Sequence, residues 1–447
     1  MESVGRRLRE AAKPPHLGRV VACDAVSLRA ALPTCSLGSI VRIHGKSPIL
    51  AEVIRLDGEM ATLLPLQHSR SIRIGDPAEI VSDSLRVPAS HHCFGRVLDG
   101  RGLPIDGKPL IQGRLAEIER SAPNPLLRKP LSRLLRTGVR SLDAFCSISL
   151  GQRMGVFAAS GVGKTTLLHQ VTQGSKVDVV VLCLVGERGR EVGEFVERLR
   201  SAEPAHHAEA SPWVVVASTP DQPALARMRC LFTATALAES YRDQGLDVLL
   251  LVDSLTKFAR ASRDVGLAAG EIPATRGYPA SVFGYISSLI ERTGNGQTGS
   301  ITAFYTLLVD EDSVFDPIAE ESRACFDGHI ILSRSLADEG IWPAIDITRS
   351  VSRPMNQIVE PEHAYAASRV RKSISHRNAK QELVDIGAYR RGTDPFLDST
   401  LDSSSTLRLF RTQSSGEITS WAETLSRLYS LSEGLVDGDN ATVPERT

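Results

Sequence analysis

Long apolar runs are missing from this sequence of 447 residues. The runs that exist, such as Val248–Val252, fall far short of the roughly 20 residues that cross a bilayer, so the sequence excludes a transmembrane protein. The basic N-terminal segment also lacks the apolar stretch of a secretory signal. We therefore expect the protein to stay in the cytosol.

An excess of charge of either sign is missing as well, since 52 basic and 52 acidic residues cancel. This balance argues against a broad basic surface for nucleic acid or anionic lipid, although a local patch is compatible with it. Hydrophobic residues make up 42% and charged residues 23% of the chain, the mixture of a soluble globular protein. The length predicts two or three domains.

Paired cysteines are also missing. The seven cysteines are scattered without a CxxC motif, and an odd number cannot pair completely within one chain. A zinc site or a disulfide framework is therefore not expected, and the pattern favours reduced, mostly buried thiols. His91 and His92 beside Cys93 have no further ligands at a suitable spacing, so we expect no metal there.

What the sequence does contain between residues 18 and 88 is a series of short β-rich runs separated by Gly, Asp and Pro. Apolar and polar residues alternate in them, and the spacing predicts a small antiparallel barrel or sandwich of about 70 residues. The turn-rich segment 95–107 is interpreted as a connection to the next domain. The β-rich runs are GRVVAC, GSIVRIHG, LAEVIRLDG, MATLLPL and IRIGDPAEIV.

From Arg140 to about Asp346 the pattern changes to continuous apolar runs that alternate with amphipathic stretches of helix length. Such runs are strands buried on both faces, and they predict an α/β domain with a mainly parallel sheet. Beyond Pro354, residues 361–431 indicate helices interrupted by a turn at Gly392–Pro395. The six runs are RMGVFA, VDVVVLCLVG, PWVVVAS, DVLLLVD, ITAFYTLLV and GHIILS.

The strongest chemical motif is GVFAASGVGKTTLL, where a buried strand enters a loop of small residues and then a helix. Glycines let backbone N–H groups face phosphate oxygens, the helix N-terminus adds partial positive charge, and Lys164 adds a cation at the β- and γ-phosphates. Thr165 is placed to ligate magnesium, and Thr166 follows it. The rest of the predicted nucleotide-binding loop is Ala158, Ala159, Ser160, Gly161, Val162 and Gly163.

Two carboxylates are candidates for chemistry beside this loop. Asp253 ends an apolar strand, where it would hold magnesium through water. Glu187 directly follows the run VVVLCLV, on the same sheet edge as Lys164 and one strand away, where it would orient and polarise an attacking water. Taken alone, Glu187 is better explained by an ion pair with Arg188. Together with the loop and Asp253, it is favoured as a catalytic group.

Four long blocks resemble the ATPases of type III protein export, namely the flagellar export ATPase and its injectisome relatives, which are related to rotary ATP synthase subunits. The blocks are GERGREVGEF (186–195), 253–283, SITAFYTLLV (300–309) and 327–353. The resemblance covers roughly residues 18–431. It implies an α/β fold with a RecA-like P-loop ATPase core, an N-terminal β-barrel and a C-terminal helical domain. The implied domains are a partner-binding segment at 1–17, the barrel at 18–90, the ATPase domain at 91–360 and the helical domain at 361–447.

The resemblance also assigns roles to single residues. Glu187 matches the catalytic glutamate of the family and Arg188 the arginine beside it. Arg353, at the end of SVSR, matches the arginine finger that reaches a neighbour's γ-phosphate; an internal salt bridge is the alternative. Trp342 falls where relatives carry an aromatic residue, commonly tyrosine, against the adenine. The alanine pair of the loop fits unevenly, because its second position is more often glycine in export ATPases.

The implied activity is ATP hydrolysis with Mg²⁺ in a homohexamer, because a chain with both Glu187 and Arg353 would make every interface of a ring catalytic. The implied partners are a regulatory stator protein at the N-terminus, where Val4–Ala12 is a candidate helix, and export chaperone–substrate complexes. The enzyme would be cytoplasmic and peripheral to the membrane export gate at the inner membrane face. Nucleic acid is not a predicted partner.

Several alternatives remain open from the sequence. Flagellar export is favoured because TLLPLQHSRSIRIGDPAEI resembles flagellar versions, and injectisome export is the alternative. More distant alternatives are the catalytic subunit of a rotary ATP synthase, a Rho-like nucleic-acid translocase and a regulatory nucleotide-binding subunit. The glycine-rich segment 293–299 would either face a ring's central channel or form a flexible turn.

Overall fold

The computed structural model describes residues 17–68, 71–201, 211–309 and 316–436. The candidate helix at Val4–Ala12 lies outside the described residues, and so does nearly all of the segment predicted to bind a partner.

The first β-rich region forms a closed antiparallel barrel, so of the two predicted architectures the barrel is confirmed. Its strands are β1 (Leu17–Cys23), β2 (Leu28–Ala31), β3 (Ile40–Ile43), β4 (Ile49–Asp57), β5 (Met60–Pro65) and β6 (Pro77–Ser82). They follow one another around the barrel in the order β1-β2-β5-β4-β3-β6. The sequence interpretation missed β2, whose buried positions are Leu28 and Ala30. Leucine and alanine carry little of the β-branched and aromatic character by which strands are recognised.

The strands downstream of the barrel assemble mostly into one central sheet. They are β7 (Arg86–Pro88), β8 (Arg96–Leu98), β9 (Leu115–Glu117), β10 (Leu134–Leu135), β11 (Ile148–Ser149), β12 (Arg153–Ala158), β13 (Val179–Val185), β14 (Trp213–Ser218), β15 (Asp247–Asp253), β16 (Gly294–Asn295), β17 (Ser300–Leu308), β18 (Gly328–Leu332) and β19 (Val351–Ser352). The nine-stranded sheet has the order β19-β18-β12-β17-β15-β13-β14-β8, with β16 beside β17. The strands from β18 to β8 pair in parallel, as predicted.

Helices pack against this sheet and form the C-terminal part of the described chain. They are α1 (Arg140–Phe145), α2 (Lys164–Gly174), α3 (Gly189–Ser201), α4 (Ala224–Asp243), α5 (Leu255–Ala268), α6 (Ala280–Arg292), α7 (Pro317–Cys325), α8 (Arg334–Asp338), α9 (Met355–Ile358), α10 (Pro361–Ala379), α11 (Gln381–Asp385), α12 (Pro395–Asp402), α13 (Ser404–Arg411) and α14 (Trp421–Glu433). Short 3₁₀ turns lie at His91–Cys93, Pro125–Leu127 and Thr275–Gly277.

Strand β13 illustrates why the central runs are apolar without alternation. All its residues are buried. Successive side chains of a strand point to opposite faces, so Val181 and Cys183 join the core on one face while Leu182 and Leu184 join the core on the other. Because both faces are covered, polar residues are left to the strand ends, where they are available for chemistry.

Two further segments bear on the sequence predictions. Helix α12 begins at Pro395, the last residue of the predicted turn, and the Asp394 side chain caps it by accepting from Leu397 N at 3.0 Å. The segment 293–299 forms a short hairpin, since β16 pairs with the start of β17. Asn295 Nδ2 donates to the carbonyls of Lys129 and Pro130, which holds the hairpin in place.

The segment 95–107, interpreted from sequence as a connection, contributes the edge strand β8 beside β14. Arg96 of this strand donates through Nε to Asp106 Oδ2 at 2.7 Å, which ties the turn-rich segment back onto the strand. A three-residue strand between turns is too short to show a hydrophobic period. Only pairing with β14 reveals it.

Within the described residues, no helix combines the length and hydropathy needed to cross a membrane. The seven cysteines are free thiols, and the buried ones are Cys93, Cys146, Cys183 and Cys230. No cluster of three or more His, Cys, Asp or Glu side chains suited to a metal ion occurs in the part of the chain that the structure describes.

A buried ion pair joins two core helices behind the sheet. Arg292 at the end of α6 donates from Nε and Nη2 to the two oxygens of Glu239 in α4, at 3.0 and 2.7 Å. Both side chains are only 1% exposed. Arg120 Nη1 also approaches Glu239 Oε2, at 3.8 Å.

We expect Arg292→Met to lower the free energy of unfolding by about 3–5 kcal/mol, because Glu239 would keep a buried charge without its main partner. Chemical denaturation measures the effect. Arg86→Met is the matched control, since it breaks a pair with Glu117 in which both side chains are 52% exposed. It should change stability by less than about 1 kcal/mol. Equal losses in the two variants would contradict the expected difference.

Candidate nucleotide site

The carboxyl ends of the parallel strands meet at one edge of the central sheet, and the predicted site residues follow those ends. Ala158 ends β12, Asp253 ends β15, and Glu187 lies two residues beyond β13. In open α/β sheets, ligands bind in the crevice outside this edge. The fold therefore gathers residues that are far apart in sequence at one location.

The loop between β12 and α2 has the backbone that a phosphate requires. Gly161 and Gly163 both have φ of +84°, a left-handed conformation that glycine adopts without strain. Helix α2 begins at Lys164 directly after Gly163. The first N–H groups of a helix have no partner within the helix, so they are available to an anion lying in the loop.

The two alanines of the loop are accommodated without disturbing the fold. Ala158 is buried and pairs in register with both neighbouring strands of β12. Ala159 is half-buried and packs against the core. On the outer side, Arg334 Nη2 donates to the carbonyl of Ser160 at 2.8 Å. Thr165 is exposed in the first turn of α2, where its hydroxyl is accessible.

Lys164 and Asp253 are brought into contact across the edge. Lys164 Nζ lies 2.5 Å from Asp253 Oδ1. The same carboxylate oxygen accepts from Thr306 Oγ1 at 2.9 Å, and Asp253 is almost completely buried. The Asp253 carboxylate and the hydroxyl of Thr165, which directly follows Lys164, are oxygen donors that suit a hard divalent cation such as Mg²⁺.

Glu187 lies on the predicted edge but not at the predicted distance. The expectation of a single strand step from Lys164 is wrong, because β17 and β15 both lie between β12 and β13. Its neighbour across the ladder is the strand of Asp253, since Leu184 pairs with Asp253. The order of parallel strands depends on crossover connections that a sequence does not specify.

Glu187 is 7% exposed and has a lysine partner that the sequence interpretation missed. Lys257 Nζ approaches Glu187 Oε1 to 2.6 Å, an ion-pair contact without hydrogen-bond alignment. Burial, and then the charge of Asp253, raise the pKa of Glu187 to about 7, while Lys257 and Lys164 oppose the rise. A carboxyl with a pKa near neutrality can accept a proton from water during a reaction.

The two predicted arginines do not meet the loop of their own chain. The Arg188 side chain is 82% exposed, with Nε 3.9 Å from Glu191. Arg353 is exposed and follows β19, and its N–H donates to the carbonyl of Asp327 at the amino end of β18. Ala158 pairs with Leu332 at the opposite end of that strand, four residues beyond Gly328, so about 13 Å of strand separates the two levels.

Trp342 lies directly over the phosphate loop. A Cβ placed on Gly163 would meet the Trp342 ring at 2.7 Å, and the ring is 38% exposed. It lines a cleft of about 500 Å³ together with Gly161, Thr166 and Pro343. The cleft offers an aromatic face next to the loop, where a base would lie.

The far wall of this cleft comes from residues that the sequence did not single out. Gln413, Ser414 and Ser415, which follow α13 in the helical region, line it together with Gln170 of α2. Gln170 Nε2 donates to the carbonyl of Ser414 at 2.8 Å. Small polar residues in a loop carry no motif, so contact with α2 is their only signal.

A glycine-lined loop at a helix N-terminus, with a lysine and a buried strand-end carboxylate, defines a P-loop nucleotide-binding protein. The family model for the ATP synthase alpha/beta family, nucleotide-binding domain, matches residues 138–352, and that for the T3SS EscN ATPase C-terminal domain matches residues 359–430.

The chain is 41% identical to the type 3 secretion system ATPase of Xanthomonas euvesicatoria, over 96% of this chain and 97% of that one. It is 40% identical to the flagellum-specific ATP synthase of Bacillus subtilis (strain 168), over 93% and 94%. The assembled ATPase EscN from the type III secretion system of enteropathogenic E. coli superposes with a TM-score of 0.87 at 39% identity, over 93% of this chain and all of that one. This chain therefore belongs to the type III secretion and flagellar ATPases of the ATP synthase alpha/beta family.

Proposed function

We propose that this ATPase hydrolyses ATP to energise type III protein export by releasing and unfolding chaperone-bound substrates and delivering them to the export gate. The observation that carries the proposal is the single sheet edge where the phosphate loop, the Lys164–Asp253 pair and the buried Glu187 meet. Purified protein should release phosphate from ATP in the presence of Mg²⁺. A bacterial strain from which the export ATPase has been deleted should regain secretion when it expresses this chain.

We infer that the exported substrates belong to the flagellum, because the barrel segment from Thr62 to Ile80 resembles flagellar versions. Injectisome export is the second candidate, favoured by the Xanthomonas relative at 41% identity. Restored motility in a flagellar ATPase deletion strain would support the first. Restored effector secretion in an injectisome deletion strain, without motility, would support the second.

In the proposed mechanism, ATP binds with its triphosphate along the loop and its adenine against Trp342. Thr165 and, through water, Asp253 would hold Mg²⁺, which neutralises charge on the phosphate oxygens when bound. Lys164 then leaves Asp253 for the β- and γ-phosphates. Glu187 orients a water in line with the γ-phosphate and takes its proton, which its raised pKa permits. Arg188, beside it in sequence, would have to turn from Glu191 toward the γ-phosphate to act in this step.

We propose that the active form is a homohexamer in which Arg353 serves the site of the neighbouring subunit. The position of Arg353 supports this arrangement, since it is exposed and lies at the edge of the sheet opposite its own phosphate loop. The related ATPase EscN has been solved as an assembled ATPase and as a complex with its central stalk EscO. Specific activity should fall when the protein is diluted until it dissociates to monomers. A rotary synthase catalytic subunit would instead need a second kind of chain to form an active ring.

The further partners follow from the same proposal. Residues 1–17 would bind a regulatory stator protein. The rest of the chain would divide into the barrel domain at 18–90, the ATPase domain at 91–360 and the helical domain at 361–447. The enzyme would work in the cytoplasm, peripheral to the export gate at the inner membrane face, on chaperone–substrate complexes. RNA should leave the ATPase rate unchanged, and stimulation by RNA would favour the Rho-like alternative.

We expect Trp342→Ala to weaken nucleotide binding about 3–10-fold, because an aromatic stack is worth about 0.5–1.5 kcal/mol. Titration with a non-hydrolysable ATP analogue measures the dissociation constant. Trp342→Tyr is the control and should bind nearly as well as the parent chain. Unchanged affinity in Trp342→Ala would remove the indole from the adenine site.

A further inference from the structure

The partner of Glu187 is built into the start of helix α5. Lys257 is the third residue of that helix, and its N–H donates to the capping Oγ of Ser254 at 3.3 Å. Leu255 and Phe258 on either side of it are completely buried. The backbone of Lys257 is therefore fixed by the core, and its side chain starts from a defined position.

The lysine stem lies across the turn that carries the carboxylate. Gly186 has φ of +63°, and a Cβ placed on it would meet Lys257 Cδ at 3.5 Å and Cβ at 3.8 Å. From there the ammonium reaches Glu187 Oε1 at 2.6 Å. Packing of the stem and the ion pair of the head together restrict the direction in which Glu187 points.

Of the two lysines that stabilise the charged form of Glu187, Lys257 is the one that is in contact with its carboxylate. Asp253 and Glu191 disfavour its ionised form, whereas Lys257 and Lys164 favour it. Lys164 is in contact with Asp253, and in the proposed mechanism it moves to the triphosphate.

Two further cations next to this turn are directed elsewhere. The Arg188 side chain is 82% exposed, with Nε 3.9 Å from Glu191. A Cβ placed on Gly186 would meet Arg227 Cδ at 4.0 Å, but Nη2 of that arginine lies 3.6 Å from Asp264.

We propose that Lys257 is a positioning residue, whose ammonium stabilises the charged form of Glu187 before the chemical step and directs its carboxylate toward the attacking water. The proposal rests on the proposed ATP hydrolysis at this site. It differs from a role as a phosphate ligand, in which Lys257 would contact ATP and not the glutamate.

The test compares Lys257→Met and Lys257→Arg in the full-length chain. Lys257→Met should lower kcat about 10–10²-fold, because a misdirected catalytic group costs rate and not binding. The dissociation constant of a non-hydrolysable ATP analogue should stay within about twofold. The acid limb of the pH–rate profile should move up by about one unit, since loss of a nearby positive charge makes the carboxylate harder to form.

Lys257→Arg should restore most of the rate and the position of the acid limb. Arg190→Met is the control for loss of a cation, because Arg190 is 82% exposed and pairs across the surface of α3 with Glu194. It should leave rate and profile unchanged.

Three results would overturn the proposal. A tenfold loss of analogue affinity in Lys257→Met with kcat retained would make Lys257 a phosphate ligand. An unmoved acid limb with reduced kcat would leave it a merely structural residue. If Glu187→Gln kept its turnover, the proposed hydrolytic mechanism would fail. If Glu187→Gln lost its turnover while Lys257→Met kept the kcat and pH–rate profile of the parent chain, only the inference about Lys257 would be overturned.

Discussion

Glu187→Gln is expected to lower the turnover of ATP about 10²–10⁴-fold, because an amide cannot take a proton from the attacking water. Shape and burial are almost unchanged by the substitution, so nucleotide affinity should be retained. Phosphate release under saturating Mg·ATP measures the first quantity. Titration with a non-hydrolysable analogue measures the second.

Glu194→Gln provides the matched control for this variant. Glu194 lies on the exposed side of α3, where it pairs with Arg190, and the same chemical change there should leave turnover intact. The parent enzyme should also lose activity as the pH falls through about 7, since burial and Asp253 raise the pKa of Glu187 to that range and the protonated form cannot act as a base. Full turnover in Glu187→Gln would assign the catalytic role to another group.

Arg353→Ala should have an effect of similar or greater size, about 10³–10⁵-fold on kcat, because a guanidinium placed against the transferring phosphate stabilises its developing charge. The residue is exposed and lies at the amino end of β18, away from the phosphate loop of its own chain. Its loss should therefore leave the fold and the first binding of nucleotide intact. Retained activity in this variant would show that Arg353 does not act as an arginine finger.

Mixing two inactive variants tests whether Arg353 acts on a neighbour. The Glu187→Gln chain retains Arg353, and the Arg353→Ala chain retains Glu187. An interface is therefore complete where an Arg353→Ala chain supplies the glutamate and a Glu187→Gln chain supplies the arginine. Random mixing in equal amounts would produce roughly a quarter of such interfaces. Activity should rise well above that of either variant alone. If mixed rings stay inactive although both variants co-assemble, the two residues do not act across an interface.

The fold could be predicted from the sequence wherever the hydrophobic pattern had a clear period. Runs such as Val179–Val185 are apolar because both faces of the sheet are covered, so their identity as parallel strands was readable. The strands at Leu28–Ala31 and Arg96–Leu98 were not readable, because one uses alanine and the other is only three residues long. Pairing with neighbours, and not local pattern, makes them strands.

For the candidate site, the sequence named candidate residues and the structure shows which side chains they contact. The loop before Lys164 and the strand-end Asp253 are motifs with a local chemical reason, and they do meet. Lys257 could not be predicted, because one lysine in an amphipathic helix is indistinguishable from a solvated one. Its pairing with Glu187 follows from the strand order, which depends on crossover connections, and the sequence interpretation placed Glu187 two strands too close to Lys164.

The central sheet has the phosphate loop at its carboxyl edge and Arg353 near its amino edge. In a ring, one sheet would thus extend from the nucleotide at one boundary to the guanidinium delivered at the next. Backbone hydrogen bonds make such a layer stiff, so a tilt imposed by closure around ATP on one side would displace the arginine on the other. Hydrolysis at successive sites would then be coupled through the sheet, and the sites would not act independently.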